Sequence, residues 1–106
     1  MKMFTNSEQT AKLIELGFEK PKSMNGEYNG LQFMPTPAYS IGELLSFLPI
    51  SFETNNDDTS WLEIEAGAVW SVSYSSFGFT DYNCEREELI DTLFDMIVKL
   101  KEEGVI

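Results

Sequence analysis

Trp61, Glu63 and Glu65 recur at two-residue steps, and two carboxylates beside an aromatic ring are the parts of a glycosidase cleft. That chemistry sets its carboxyl groups about 5 Å apart for retention and about 6.5–9.5 Å apart for inversion. Residues two apart on a strand lie about 7 Å from each other, so the spacing permits it. The same pattern describes any solvated strand face on which charge alternates with apolar residues. A concave site and a raised carboxylate pKa would separate the two cases.

Other chemistry is bounded more sharply. The chain has no histidine and so lacks the commonest general base and the commonest transition-metal ligand. Cys84 is its single cysteine, with no imidazole to activate it and no second thiol for an intrachain disulfide. One cysteine without histidine also leaves no zinc pattern. Cys84 is expected at the N-terminus of the last helix, where the dipole favours a thiolate, but Glu85, Glu87 and Glu88 oppose that shift. A cap or a small buried filler is the expectation.

Asn55, Asn56, Asp57 and Asp58 offer oxygen ligands to calcium, yet an EF-hand loop needs Gly at its sixth place and Glu at its twelfth. Counted from Asn55 those places hold Ser60 and Ala66, and counted from Asp57 they hold Leu62 and Ala68. A polar turn between strands is expected instead. Gly26 to Gly30 lacks the lysine and the strand–helix setting of a phosphate-binding loop. No cofactor is expected.

Charge narrows the partners. No lysine or arginine lies between Lys22 and Arg86, an interval that contains Glu27, Glu43, Glu53, Asp57, Asp58, Glu63, Glu65 and Asp81. The chain carries a formal -11, most of it from this middle. Such a surface repels phosphates and anionic membranes and attracts basic or apolar partners. Direct nucleic-acid binding is not expected, although Trp61, Trp70, Tyr74, Phe77, Phe79 and Tyr82 could stack bases were cations near them. Most of these rings are expected in the core or in cross-strand pairs; any that emerge on an open face would mark an interface.

These residues need a scaffold. A chain of 106 residues fits one domain, residues 1–106, with a core that needs no staples. The start Met1-Lys-Met-Phe-Thr-Asn-Ser-Glu is not that of a signal peptide, and no apolar run approaches the ~18 residues of a membrane span. A cytoplasmic setting is expected.

Thr5-Asn-Ser-Glu8 has capping-box spacing and predicts a first helix with Ala11, Leu13, Ile14 and Leu16 inward, closed by Gly17 with Phe18 folding back. Glu19–Met34 predicts an irregular connection with a short extended piece over 31–34. Pro35 and Pro37 stiffen the approach to a second helix capped by Ser40 and Glu43, faced by Ile41, Leu44, Leu45 and Leu48, and stopped by Pro49. Ile50–Thr54 predicts a strand and Asn55–Ser60 a loop. Leu62, Ile64 and Ala66 alternate with Trp61, Glu63 and Glu65, and Trp70, Val72 and Tyr74 alternate with Ser71 and Ser73. The two runs join around Ala66-Gly67 as a hairpin, and Phe77–Tyr82 adds a fourth strand. Glu85–Glu103 predicts the longest helix, with Leu89, Leu93, Met96, Ile97 and Leu100 inward, acids in its first turn, Lys99 and Lys101 in its last, and Gly104 closing it. The fold class is α+β in the order α-α-β-β-β(-β)-α, a small antiparallel meander with helices on one face.

Three segments carry a resemblance: Thr5-Asn-Ser-Glu-Gln-Thr-Ala-Lys-Leu-Ile-Glu-Leu-Gly17, Pro37-Ala-Tyr-Ser-Ile-Gly-Glu-Leu-Leu-Ser-Phe-Leu-Pro49, and Glu88-Leu-Ile-Asp-Thr-Leu-Phe-Asp-Met-Ile-Val-Lys-Leu100. Together they resemble an uncharacterised group of small acidic proteins of gut Bacteroidales, often encoded in prophage or other mobile-element regions. In that group a Pro-x-Trp/Tyr-Ser block follows a helix ending in Leu-Gly, and Tyr39 here stands where Trp is more usual. The shared motifs are helix caps and core positions, so no functional residue carries over. The resemblance implies a bacterial or phage setting and an accessory role.

The leading expectation is a non-enzymatic module that binds a protein partner or a second copy of itself, with Trp61, Glu63, Glu65, Asp57 and Asp58 as the candidate surface. An acidic nucleic-acid mimic is the alternative, and a small enzyme using Glu63 or Glu65 the third.

Overall fold

The computed structural model describes residues 1–29, 32–55 and 57–106. In chain order these form α1 (Ser7–Glu15), β1 (Ser23–Asn29), β2 (Gln32–Ala38), α2 (Ile41–Phe47), β3 (Ser51–Glu53), β4 (Thr59–Ala66), β5 (Trp70–Ser76), β6 (Phe79–Arg86) and α3 (Leu89–Glu102). The class is α+β as expected. Strands β3-β4-β5-β6 make an antiparallel meander, and β1-β2 make a separate two-stranded ribbon. Leu31, expected in an extended piece, and Asn56, expected in a loop, lie outside the described residues.

The ribbon corrects the irregular connection expected over 19–34. Residues 32–34 are extended as anticipated, but β1 pairs with β2 from Ser23↔Ala38 to Asn29↔Gln32. Pro35 and Pro37 lead into α2 as expected, but they do so from within β2. A two-stranded ribbon leaves each strand one unpaired edge, where a missing N–H costs nothing.

Helix α1 starts one residue later than expected. Asn6 is the N-cap: its side chain accepts from the Gln9 N–H at 2.8 Å, and Gln9 Oε1 accepts from the Asn6 N–H at 3.0 Å. Thr5 is instead buried. Its hydroxyl accepts from the Tyr39 N–H at 3.0 Å and donates to Thr10 Oγ1 at 2.7 Å, because Thr10 spends its own proton on the Asn6 carbonyl. Of the expected apolar stripe only Leu13 is fully buried; Ala11 and Ile14 are exposed. Gly17 closes the helix at φ 97°, with Phe18 N–H on the Leu13 carbonyl at 3.1 Å.

Helix α2 carries the expected box, Ser40 with Glu43, and Leu48 is already extended before Pro49. Leu44 and Leu48 are buried as expected, but Leu45 faces outward. Phe47 takes its place, with its ring 4.8 Å from Phe18 and edge-on to Tyr39 at 5.5 Å.

The sheet presents Phe52, Leu62, Trp70, Val72, Tyr74, Tyr82 and Cys84 to the core, where Ile90, Leu93, Met96, Ile97 and Leu100 of α3 close over them. Strand β6 runs four residues past the expected Tyr82, so α3 begins at Leu89 and not near Glu85. Glu85, Glu87 and Glu88 are therefore outside its first turn, where Asp91 stands instead. The β-branched and aromatic residues that read as a strand up to Tyr82 continue into a polar stretch whose pairing with β5 decides its state. The C-terminus of α3 is as expected: Lys99 and Lys101 in the last turn, Gly104 at φ 75°, and Val105 N–H on the Leu100 carbonyl at 2.9 Å. Among the described residues no helix is long and apolar enough to cross a membrane.

Candidate functional site

One face of the meander is covered by helices and the other is open. Strand alternation sends Trp61, Glu63 and Glu65 to the open face, as the sequence predicts. The register then sets their neighbours: Trp61 opposite Ser75, Glu63 opposite Ser73, and Glu65 opposite Ser71. Across β5 the same face continues as Ser75↔Thr80, Ser73↔Asn83 and Ser71↔Glu85. The edge strand β3 adds Ser51 beside Trp61 and Glu53 beside Thr59.

The result is a lane of serines along β5 with carboxylates on both sides. Ser71 donates to Asn83 Oδ1 at 3.1 Å, and Asn83 Nδ2 donates to Glu85 Oε1 at 3.4 Å. Trp61 is 55% exposed and Glu53, Glu63, Glu65 and Glu85 are exposed. Among the described residues none of these outward strand positions is a lysine or arginine. Arg86, the one cation of the sheet, lies at the core-side register and binds Asp95 at 2.9 Å. Two carboxylates about 7 Å apart in water repel by about 0.6 kcal/mol, so the face keeps a modest uncompensated negative potential.

Asp57 and Asp58 are not on this face. They occupy the β3–β4 turn at one end of the sheet, both exposed, with Asp57 at φ 62°. Thr54 N–H donates to the Asp58 carbonyl at 2.8 Å and Asp57 N–H to the Thr54 carbonyl at 3.2 Å, so backbone bonds hold the turn. The β5–β6 turn lies at the same end of the sheet, because β5 leaves from beside the start of β4. That turn carries Phe77 and Phe79, 92% and 72% exposed. Both were among the aromatics singled out from sequence, but only the turn position explains their exposure.

Two grooves stand out among the described residues. One, of about 570 Å³, runs between the sheet end and the C-terminus of α3 and is lined by Phe52, Glu53, Asp81, Tyr82 and Glu103 among others. The other, of about 440 Å³, lies between the N-terminal segment and the ribbon, along Lys2, Phe4, Asn6, Thr36 and Pro37. Glu63 and Glu65 line neither of these two grooves. Asp81, the extra residue of the β6 bulge, accepts from the Ser60 hydroxyl at 2.7 Å.

Cys84 corrects its expected place. It lies in β6 opposite Val72, away from the helix terminus, and is half-buried on the core side. Burial pushes its thiol pKa up from 9.0, and Asp95 adds to that against a smaller opposing pull from Lys99. Its role is packing. Among the described residues no three His, Cys, Asp or Glu side chains converge so as to hold a metal ion.

No family model, curated protein or solved structure matches this chain.

Proposed function

We propose that this chain is a non-enzymatic binding module that recognises a protein partner through the open face of its meander. The observation that supports this most is the uncovered sheet face on which Trp61 stands among Glu53, Glu63, Glu65 and Glu85 with no cation beside them. Hydroxyls of Ser71, Ser73 and Ser75 offer hydrogen bonds between the charges, and an exposed indole offers a platform for a guanidinium. A basic protein surface satisfies all three features. A second copy of the chain does not, because it brings the same charge to the contact. The bacterial or phage accessory setting belongs to the same proposal.

The test is a binding comparison between the wild-type protein and the Glu63→Gln/Glu65→Gln and Trp61→Ser variants, using proteins retained from the source cell at low salt. Both variants are expected to lose the retained partner while remaining folded. Retention unchanged in both rejects the open face as the contact. Competition by duplex DNA for the retained partner would select the nucleic-acid mimic within this reading, because a mimic occupies the groove that DNA uses.

A further inference from the structure

We infer that the β5–β6 turn is the anchor of this contact, packing Phe77 and Phe79 against an apolar stripe flanked by lysine or arginine on the partner protein. The inference rests on the binding reading above and adds to it the contact point and the partner's chemistry.

A single exposed apolar side chain is ordinary on a protein surface. Two phenylalanines on one tip are not. Phe77 and Phe79 flank Gly78, whose φ of 78° makes the reversal, and they are 92% and 72% exposed. Each would remove roughly 150–250 Å² from water on burial. Trp61 starts the open face two residues along the register from this turn, so three rings share one end of the sheet.

Carboxylates surround that end. Asp57 and Asp58 cap the neighbouring β3–β4 turn, Glu53 ends β3, and Asp81 follows Phe79 in β6. A central aromatic knob inside a charged rim is the anatomy of a binding hot spot, with rings supplying affinity and charges supplying approach and register. The rim fixes the partner's sign. It disfavours a second copy of this chain and an anionic bilayer alike, and it fits an apolar surface whose own flanks are basic.

The experiment titrates a fluorescent amphipathic peptide of leucine and lysine with the full chain and follows anisotropy. A leucine–glutamate peptide of the same pattern serves as control, and vesicles of phosphatidylcholine with and without phosphatidylglycerol test lipid. The leucine–lysine peptide is expected to bind, and Phe77→Ser/Phe79→Ser is expected to weaken it about tenfold. Asp57→Asn/Asp58→Asn and high salt weaken it as well, and the control peptide does not bind. The side chains replaced are exposed, so circular dichroism should be unchanged. Equal binding by the phenylalanine double variant, no binding by the wild-type chain, or preferential binding to vesicles overturns the inference. If Glu63→Gln/Glu65→Gln alone weakens the peptide, the open-face reading stands and the anchor falls.

Discussion

The ammonium of Lys2 lies 2.7 Å from a carboxylate oxygen of Asp91, tying the first residues of the chain to its last helix. Gln9 Nε2 donates to the same oxygen at 2.7 Å, so one carboxylate joins the N-terminal segment, α1 and α3. Burial alone would raise the Asp91 pKa, but the hydrogen bonds from Lys2 and Gln9 outweigh it and hold the pKa below 3.8. A lowered carboxylate pKa stabilises the fold above its unfolded value, and that stability disappears as pH falls through the folded value. Asp91→Asn should cost about 1 kcal/mol at neutral pH, since both partners keep some solvent. Urea melts should show wild type and variant converging as pH drops below 3.8. A gap that persists in acid would contradict the assignment.

Glycine offers an opposed pair. Gly104 sits at φ 75° with open space around the position of a Cβ, so Gly104→Ala pays only backbone strain, about 1 kcal/mol. Gly42 lies in the first turn of α2, where an added Cβ would meet nothing nearer than Ser40 Oγ at 3.9 Å. Gly42→Ala should gain about 0.5 kcal/mol from helix propensity. Thermal melts of the two variants should move in opposite directions.

How much of this was legible beforehand depends on where the information lies. The Ser40–Glu43 box, the Gly17 and Gly104 stops and the Trp61–Glu63–Glu65 alternation are local patterns, and the structure keeps them. The β1–β2 ribbon was hidden because Pro35, Pro37 and Gly26 look like loop residues until pairing places them on a two-stranded edge. Glu85 and Arg86 suit a helix by propensity, which predicts an earlier start for α3, yet their backbone pairs with β5. Of the candidate site, the face was readable from period two. The serine lane beside it and the shared end of the two turns required the register.

Tyr74 is fully buried beneath α3, and its hydroxyl donates to the Pro49 carbonyl at 2.6 Å. Desolvation pushes its pKa up to about 12. The unfolded chain ionises first, near 10.0, so stability from this group is complete below 10.0 and is lost as pH rises toward 12. Tyr74→Phe should cost about 1 kcal/mol at neutral pH for the lost hydrogen bond. The variant should also unfold less steeply in alkali, as followed by circular dichroism. An alkaline limb identical to wild type would exclude Tyr74 as its source.

Cys84 should react slowly. Its thiol pKa is raised by burial and by Asp95, so the thiolate is scarce at mildly alkaline pH. Iodoacetamide should label the folded chain more than tenfold slower than the urea-unfolded chain, as an order-of-magnitude expectation for a half-buried, protonated thiol. Equal rates would place Cys84 at an accessible, activated position that this packing does not provide.

Glu63 and Glu65 separate stability from binding. Both are exposed strand residues opposite serines, and no cation of the described residues shares their face. Replacing both with glutamine removes a repulsion of about 0.6 kcal/mol and no packing, so stability should stay level or rise by a few tenths of a kcal/mol. The gain should shrink in high salt, where the repulsion is already screened. A basic partner should be lost at the same time, because it gains its attraction from these charges. Melting curves at low and high salt, set beside partner retention, check both halves. A variant that loses stability and binding together would make the carboxylates structural, and the open face would then need another reason to carry them.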